Sequence, residues 1–141
     1  MYSNILVALE NTRTDASLIP HIARLATLLK SRLLLIHVAD GWAARNFDHL
    51  KLTESEEMMN DRQYLERIAS ELRTQGLEVD ISLARGEPSK QILLTAEREG
   101  CDLIAMTTHG HRFLGDLIHG STISEVRHQS RIPLLLVRAL P

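Results

Sequence analysis

Leu103-Ile104-Ala105-Met106-Thr107-Thr108-His109-Gly110, followed after nine residues by Gly120-Ser121-Thr122, is the stretch on which the reading of this chain turns. It begins as a short apolar run of strand type, Leu103 to Met106, and ends on a glycine that leads straight into two hydroxyl residues. Thr122-Ile123-Ser124-Glu125 has the pattern of a capping box, so a helix is expected to open just past Gly120. Strand, glycine-bearing connection and helix N-terminus, in that order, are the parts of an α/β unit. Glycines let main chain approach phosphate oxygens, and the free N–H groups and positive dipole end of a helix attract negative charge. The connection from Thr107 to Gly120 is also long, where roughly 2–6 residues are usual, and surplus length at the ligand end of a sheet is commonly functional. The segment has the form of a phosphate cradle. The plainer alternative is that Gly110, Gly115 and Gly120 only serve turns.

Outward from this segment, strand and helix patterns alternate along the whole chain. Asn4 to Leu9 and Leu33 to Val38 are nearly unbroken apolar runs, as strands buried on both faces should be. Between them, Leu18, Ile22, Leu25 and Leu29 recur at helical spacing from about Thr14, with a possible capping box at Thr12 to Asp15. Pro20 inside that stripe predicts a kink or a late start. A polar connection is expected from Ala39 to about Ser55, then a helix from about Glu56 to Gln75 with Leu65, Ile68 and Leu72 on one face. Gly76 is its expected C′ residue. The remaining charges of that helix are read as a solvated face. Leu77, Val79, Ile81 and Leu83 alternate with polar residues, the period of a half-buried edge strand. Gly86-Glu87-Pro88-Ser89 turns into a third helix that stops before Gly100. The fourth strand is expected at Asp102–Met106, the fourth helix at Ser121–Gln129 and the last strand at Pro133–Val137.

Such alternation builds a five-stranded parallel sheet with helices on both faces, and an edge position for the third strand gives the order 3-2-1-4-5. That order reverses between strands one and four, where a crevice opens at their carboxyl ends. Glu10-Asn11-Thr12 and Thr107 to Gly110 are expected to face each other across it. Strand five is the other edge, yet it is apolar from Ile132 to Val137 apart from Pro133. An apolar edge invites pairing, so a two-fold dimer through Pro133–Val137 is expected, unless Arg138-Ala139-Leu140-Pro141 or a helix covers it.

Bulk numbers narrow the classes. At 141 residues the chain fits a single domain, 1–141. Sixteen basic against 18 acidic residues, net −2, supply no general pull toward nucleic acid or anionic lipid. No apolar run approaches the roughly 18 residues of a membrane span. Met1-Tyr2-Ser3-Asn4-Ile5 lacks the look of a secretory signal and the lone Cys101 excludes an internal disulfide, so a cytoplasmic setting is expected. Cys101 itself reads as a buried structural thiol.

The quoted residues resemble a known family. Thr107-Thr108-His109-Gly110, the nine-residue gap and Gly120-Ser121 are similar to the Gly-x2-Gly-x9-Gly-Ser/Thr nucleotide motif of the universal stress proteins. Asn4 to Thr12 is similar to that family's first strand and acidic turn, Leu35-Ile36-His37-Val38 to its second strand, Gly86-Glu87-Pro88 to its Gly-x-Pro turn, and Ile132 to Arg138 to its closing strand. The resemblance implies a Rossmann-like stress protein that binds ATP or AMP, with Mg2+ a further candidate, and that pairs through its fifth strand. An unidentified protein partner would read its state. Position by position, it places Gly110, Gly120, Ser121 and Thr122 on the phosphates, with Thr107, Thr108, His109, His111 and Arg112 beside them. Ala8, Leu9 and Glu10 would stand near adenine and ribose, and Val38 near adenine. Two residues depart from the pattern: Thr107 replaces the first glycine, and Glu10 replaces the usual aspartate.

Other chemistries are poorly supported. His109-Gly110-His111 with His119 lacks a Cys partner and any His-Glu-x-x-His spacing, so no specific metal site is expected. His37 reads as structural, and His21, His49 and His128 as surface residues. No lysine occurs between Thr107 and Thr122, which excludes a P-loop, and no Gly-x-Ser-x-Gly elbow is present. A phosphoacceptor receiver domain needs a lysine after strand five, and none is there. No catalytic residues are assigned. Trp42 and Phe47 could cover a base, touch a partner or anchor their own loop. Two readings remain: a nucleotide-responsive module, and a nucleotide-free dimeric scaffold.

Overall fold

Unbroken apolar runs become central strands. β1 (Asn4–Ala8), α1 (Asp15–Leu29), β2 (Arg32–Ala39), α2 (Lys51–Thr74), β3 (Glu78–Arg85), α3 (Pro88–Arg98), β4 (Leu103–Thr108), α4 (Gly120–Gln129) and β5 (Leu134–Arg138) follow one another along the chain. The computed structural model describes residues 1–39, 51–108 and 120–141, with backbone alone for 51–55 and 120. The five strands form one sheet in the order β3-β2-β1-β4-β5, every pairing parallel. β1 and β2 are buried almost throughout, whereas β3 at one edge is half-exposed, as its alternation predicts.

Strand alternation divides the core in two. Ile5, Val7, Leu9, Leu33, Leu35 and Ala105 face α1 and α2, where Leu18, Ile22, Leu65, Ile68 and Leu72 meet them. Leu6, Ala8, Ile36, Val38, Ile104 and Met106 face α3 and α4, where Ile92, Ala96 and Val126 meet them. The helix ends follow local chemistry. Gly76, at φ +89, closes α2 with its N–H on the Arg73 carbonyl and the Leu77 N–H on the Leu72 carbonyl. Gly86, at φ +121, starts the turn into α3, whose first residue is Pro88. Cys101 is buried as expected, and burial, with Glu99 and Asp102 nearby, pushes its thiol up to about 11.

Several boundaries differ from the sequence expectation. β4 does not stop at Met106: Thr107 and Thr108 pair with Val137 and Arg138, because β-branched residues suit a strand that has a partner on that side. β5 correspondingly runs to Arg138. α2 begins at Lys51, so helix replaces the last part of the expected polar connection. α1 starts at Asp15 and continues past Pro20 to Leu29, so Pro20 does not delay its start. Neither capping box forms. Thr14 caps α1 without a side-chain bond while Asp15 reaches past Thr12 to the amides of Glu10 and Asn11. α4 starts at Gly120, which puts Thr122 inside its first turn, and the Glu125 carboxylate instead accepts from Ser89 Oγ of α3.

Candidate functional site

At the carboxyl ends of the strands the chain leaves β1 toward α1 and β4 toward α4, so the order reverses between these two strands as expected. On its α3–α4 side the sheet has an apolar rim. Ala8 of β1, Ile36 and Val38 of β2, and Pro88 and Ile92 of α3 surround a gap of about 10 Å³, room for one water at most. The gap is too small to take a flat ring. Val38 and Ala8 are both buried beneath the surface of that rim.

α4 brings its N-terminus to the same face at Gly120, with Ser121 exposed and Thr122 buried. A helix of ten residues, Gly120–Gln129, carries the positive end of its dipole here. Thr108 shares the α4 face with Met106 by strand alternation. Thr107 falls on the opposite face with Ala105 and its paired neighbour Val137, against α1. It is 1% exposed, and its Oγ1 has no hydrogen-bond partner among the described residues. His109, Gly110, His111 and Arg112 lie outside the described residues, as do Gly115, His119, His49, Trp42 and Phe47.

Glu10 is 2% exposed, and its carboxylate accepts from Thr14 Oγ1 at 2.8 Å. The turn that carries it is held from below. Asp15 of α1 accepts from the Glu10 amide and the Asn11 amide, both at 2.9 Å, and from the Tyr64 hydroxyl of α2 at 2.6 Å. His37, at 3% exposure, places Nδ1 2.8 Å from the Leu9 carbonyl and Nε2 3.4 Å from Asp61 Oδ2. Asp61 also accepts from Asn11 Nδ2 at 2.9 Å. Asn11 takes φ +58, a left-handed conformation that asparagine tolerates better than most residues.

This network was not legible as a unit in the sequence. His37 is structural, as expected, but the reading of the α2 charges as a solvated face fails at Asp61, whose side chain is 15% exposed. A signal existed: Asp61 and Tyr64 precede Leu65, Ile68 and Leu72 at helical spacing, so the inward stripe continues as polar residues. The environment acts on all four groups. Burial pushes the His37 imidazole down, and its bonds to Asp61 and the Leu9 carbonyl, with the charges of Asp61 and Asp15, outweigh this and hold it above its usual value. Burial pushes Asp61 up, and the His37 and Asn11 bonds with the His37 charge bring it below the usual carboxylate range. Asp15 is raised by burial, against the pull of two amides, Tyr64 and His37. Tyr64 is raised by burial and by the Asp15 charge beside it.

Among the described residues no group of three His, Cys, Asp or Glu side chains could hold a metal ion, and no helix is long and apolar enough to cross a membrane. β5 keeps its outer edge open among the described residues. Leu136 there is 41% exposed, and the Ala139 and Leu140 amides bond to Thr108 of β4 and Ser17 of α1 instead of covering that edge.

The family model described as "Universal stress protein family" matches residues 1–138. A universal stress protein of Methanocaldococcus jannaschii is 28% identical over 155 residues, covering 98% of this chain and 96% of that protein. The solved structure of the same archaeal protein superposes with a TM-score of 0.81 at 26% identity, covering 100% of this chain and 99% of the other. A universal stress protein structure from Archaeoglobus fulgidus in complex with dAMP has a TM-score of 0.70 at 21% identity, covering 96% and 98%. Another, in complex with cAMP, has a TM-score of 0.71 at 13% identity, covering 99% and 98%. At these last two identities the likeness concerns the fold alone.

Proposed function

Because the chain belongs to the universal stress protein family, we propose that it is a stress-response module that binds ATP or AMP at the carboxyl edge of its sheet. The observation that carries this reading is the arrangement on the α3–α4 face. There Ala8, Val38 and Ile92 of the apolar rim belong to the core cluster against which Ile123, in the first turn of α4, packs. A base stacks on the rim, phosphates take the free amides of α4, and residues 107–112 complete the cradle. Thr107 in place of the first motif glycine is tolerated, because its side chain belongs to the α1 face. Support from outside is that two family members of this fold were solved with dAMP and with cAMP. Occupancy is the signal, not turnover, since the segment supplies no lysine for a γ-phosphate. Mg2+ accompanies a triphosphate. The protein works as a dimer joined along β5, and a protein partner reads the nucleotide state.

The buried Glu10 favours a second reading, a nucleotide-free scaffold in which this end of the sheet only packs. The two are separated by denaturing the purified protein and measuring adenine absorbance in the supernatant, then titrating the stripped protein with ATP and Mg2+. Saturation below about 1 mM, a melting point that climbs with ligand, and loss of both in Gly120→Val are expected; at a hundred times Kd the added stability is about 2.7 kcal/mol. Binding weaker than that, indifferent to Gly120→Val, leaves the scaffold.

A further inference from the structure

The polar cluster beneath the β1–α1 turn is larger than a buried histidine needs, and its geometry constrains the charge on that histidine. Nδ1 of His37 faces the Leu9 carbonyl and Nε2 faces the Asp61 carboxylate. Both neighbours are acceptors, and a neutral imidazole has only one N–H to offer. Either neutral tautomer therefore loses one contact and turns a lone pair on the other acceptor. Only the imidazolium satisfies both.

The first of these contacts ties His37 to the turn directly, and the second reaches it through Asp61, which holds the Asn11 side chain. The turn is attached by the Leu9 amide on the Ile36 carbonyl, the Leu9 carbonyl on His37, the Glu10 and Asn11 amides on Asp15, the Glu10 carboxylate on Thr14 and the Asn11 side chain on Asp61. We propose that His37, held as a doubly donating imidazolium, is a positioning residue: it sets the Leu9–Asn11 turn, and with it Glu10, at the mouth of the nucleotide site. The ligand half of this statement rests on the nucleotide reading above; the turn-setting half does not. The charged groups that act on the imidazole are Asp61 from α2 and Asp15 from α1, and the nearest charge on β3 along the same face is Arg85, two residues past the register partner of His37. β3, its other neighbour, puts the uncharged Leu83 in register beside it.

The direction of the pH effect follows. The folded-state imidazole titrates above its unfolded value of about 6.5, so the hold on the turn is complete below that pH and is lost as pH rises through the folded value. The test follows the His37 ring and the Glu10 and Asn11 amides by NMR across pH in wild type and Asp61→Asn, and measures ATP affinity across pH in wild type and His37→Asn. Asparagine keeps a donor near the Nδ1 position but has no charge and no reach to Asp61. The nucleotide's own phosphate titration is common to both proteins and cancels in their ratio.

The expected result is that both amides move with the ring's titration and that the ring titrates lower in Asp61→Asn. The ratio of wild-type to His37→Asn affinity falls about tenfold, one charged hydrogen bond's worth, as the ring deprotonates. If His37→Asn fails to fold, Asp61→Asn, altered at a partly exposed position, shows the same weakened affinity and lower titration. Amides that ignore the ring, or a His37→Asn protein with wild-type affinity and pH profile, overturn the proposal. Wild type that binds no nucleotide while its amides track His37 removes the nucleotide reading and leaves the turn-setting role in place.

Discussion

The two faces of the sheet finish differently at the carboxyl ends of the strands. Under α1 and α2 the apolar core closes in a buried polar network, with Asp15, His37, Asp61 and Tyr64 joined to the turn after β1. Under α3 and α4 the core stays apolar to its rim at Ala8, Val38 and Ile92, and the bond from Ser89 to Glu125 ties the two helices to each other and not to the sheet. The difference separates two jobs. A network whose donors and acceptors are matched, with the Thr107 hydroxyl on that face the exception, holds its shape, because a group displaced from it is left unsatisfied. On the proposed reading, an apolar rim and the N-terminus of α4 suit a flat base and an anion whose lost hydration the helix amides replace.

The largest expected effects test that division directly. Leu18 and Ile92 are both fully buried, one on each face. Leu18→Ala and Ile92→Ala are each expected to cost about 3 kcal/mol in a urea titration, but only Ile92→Ala weakens ATP binding in the folded protein. Equal losses of affinity would erase the distinction between the faces. A smaller contrast lies between the two side-chain ties. Asp15→Ala strands two amides and the Tyr64 hydroxyl and is expected to cost about 2 kcal/mol. Ser89→Ala breaks a single bond between helices, at about 1 kcal/mol. Melting curves of the two variants decide whether the matched network is the stiffer wall.

The smallest effect on folding is expected where the two faces meet an open edge. Leu134 belongs to the α3–α4 core and Leu135 and Val137 to the α1–α2 core, while Leu136 is 41% exposed. Leu136→Lys should leave stability within about 0.5 kcal/mol of wild type and halve the mass seen by light scattering. A wild-type protein that is already monomeric at micromolar concentration removes the β5 dimer.

Much of the fold was legible because apolar patterning is local information. The runs Asn4–Leu9 and Leu33–Val38, the alternation through Leu77–Leu83, and the glycines at 76, 86 and 100 announce buried strands, an edge strand and element ends without knowledge of any neighbour. The boundaries that moved depended on a partner. Thr107 and Thr108 read as loop until Val137 and Arg138 pair with them. Thr12–Asp15 and Thr122–Glu125 read as capping boxes until the Glu10 and Asn11 amides and Ser89 offer their carboxylates better partners.

Sequence alone therefore determined the strand order, the switch point and the family to which the motif at Gly110 and Gly120 is similar, since each depends on residue type at fixed spacing along the chain. Tertiary structure decided which face each side chain serves. It put Thr107 against α1, and it placed Asp61, 24 residues beyond His37 in the chain, next to that imidazole. The reason is physical: the affinity of an acceptor for a donor depends on distance and burial, and neither exists until the helices close over the sheet.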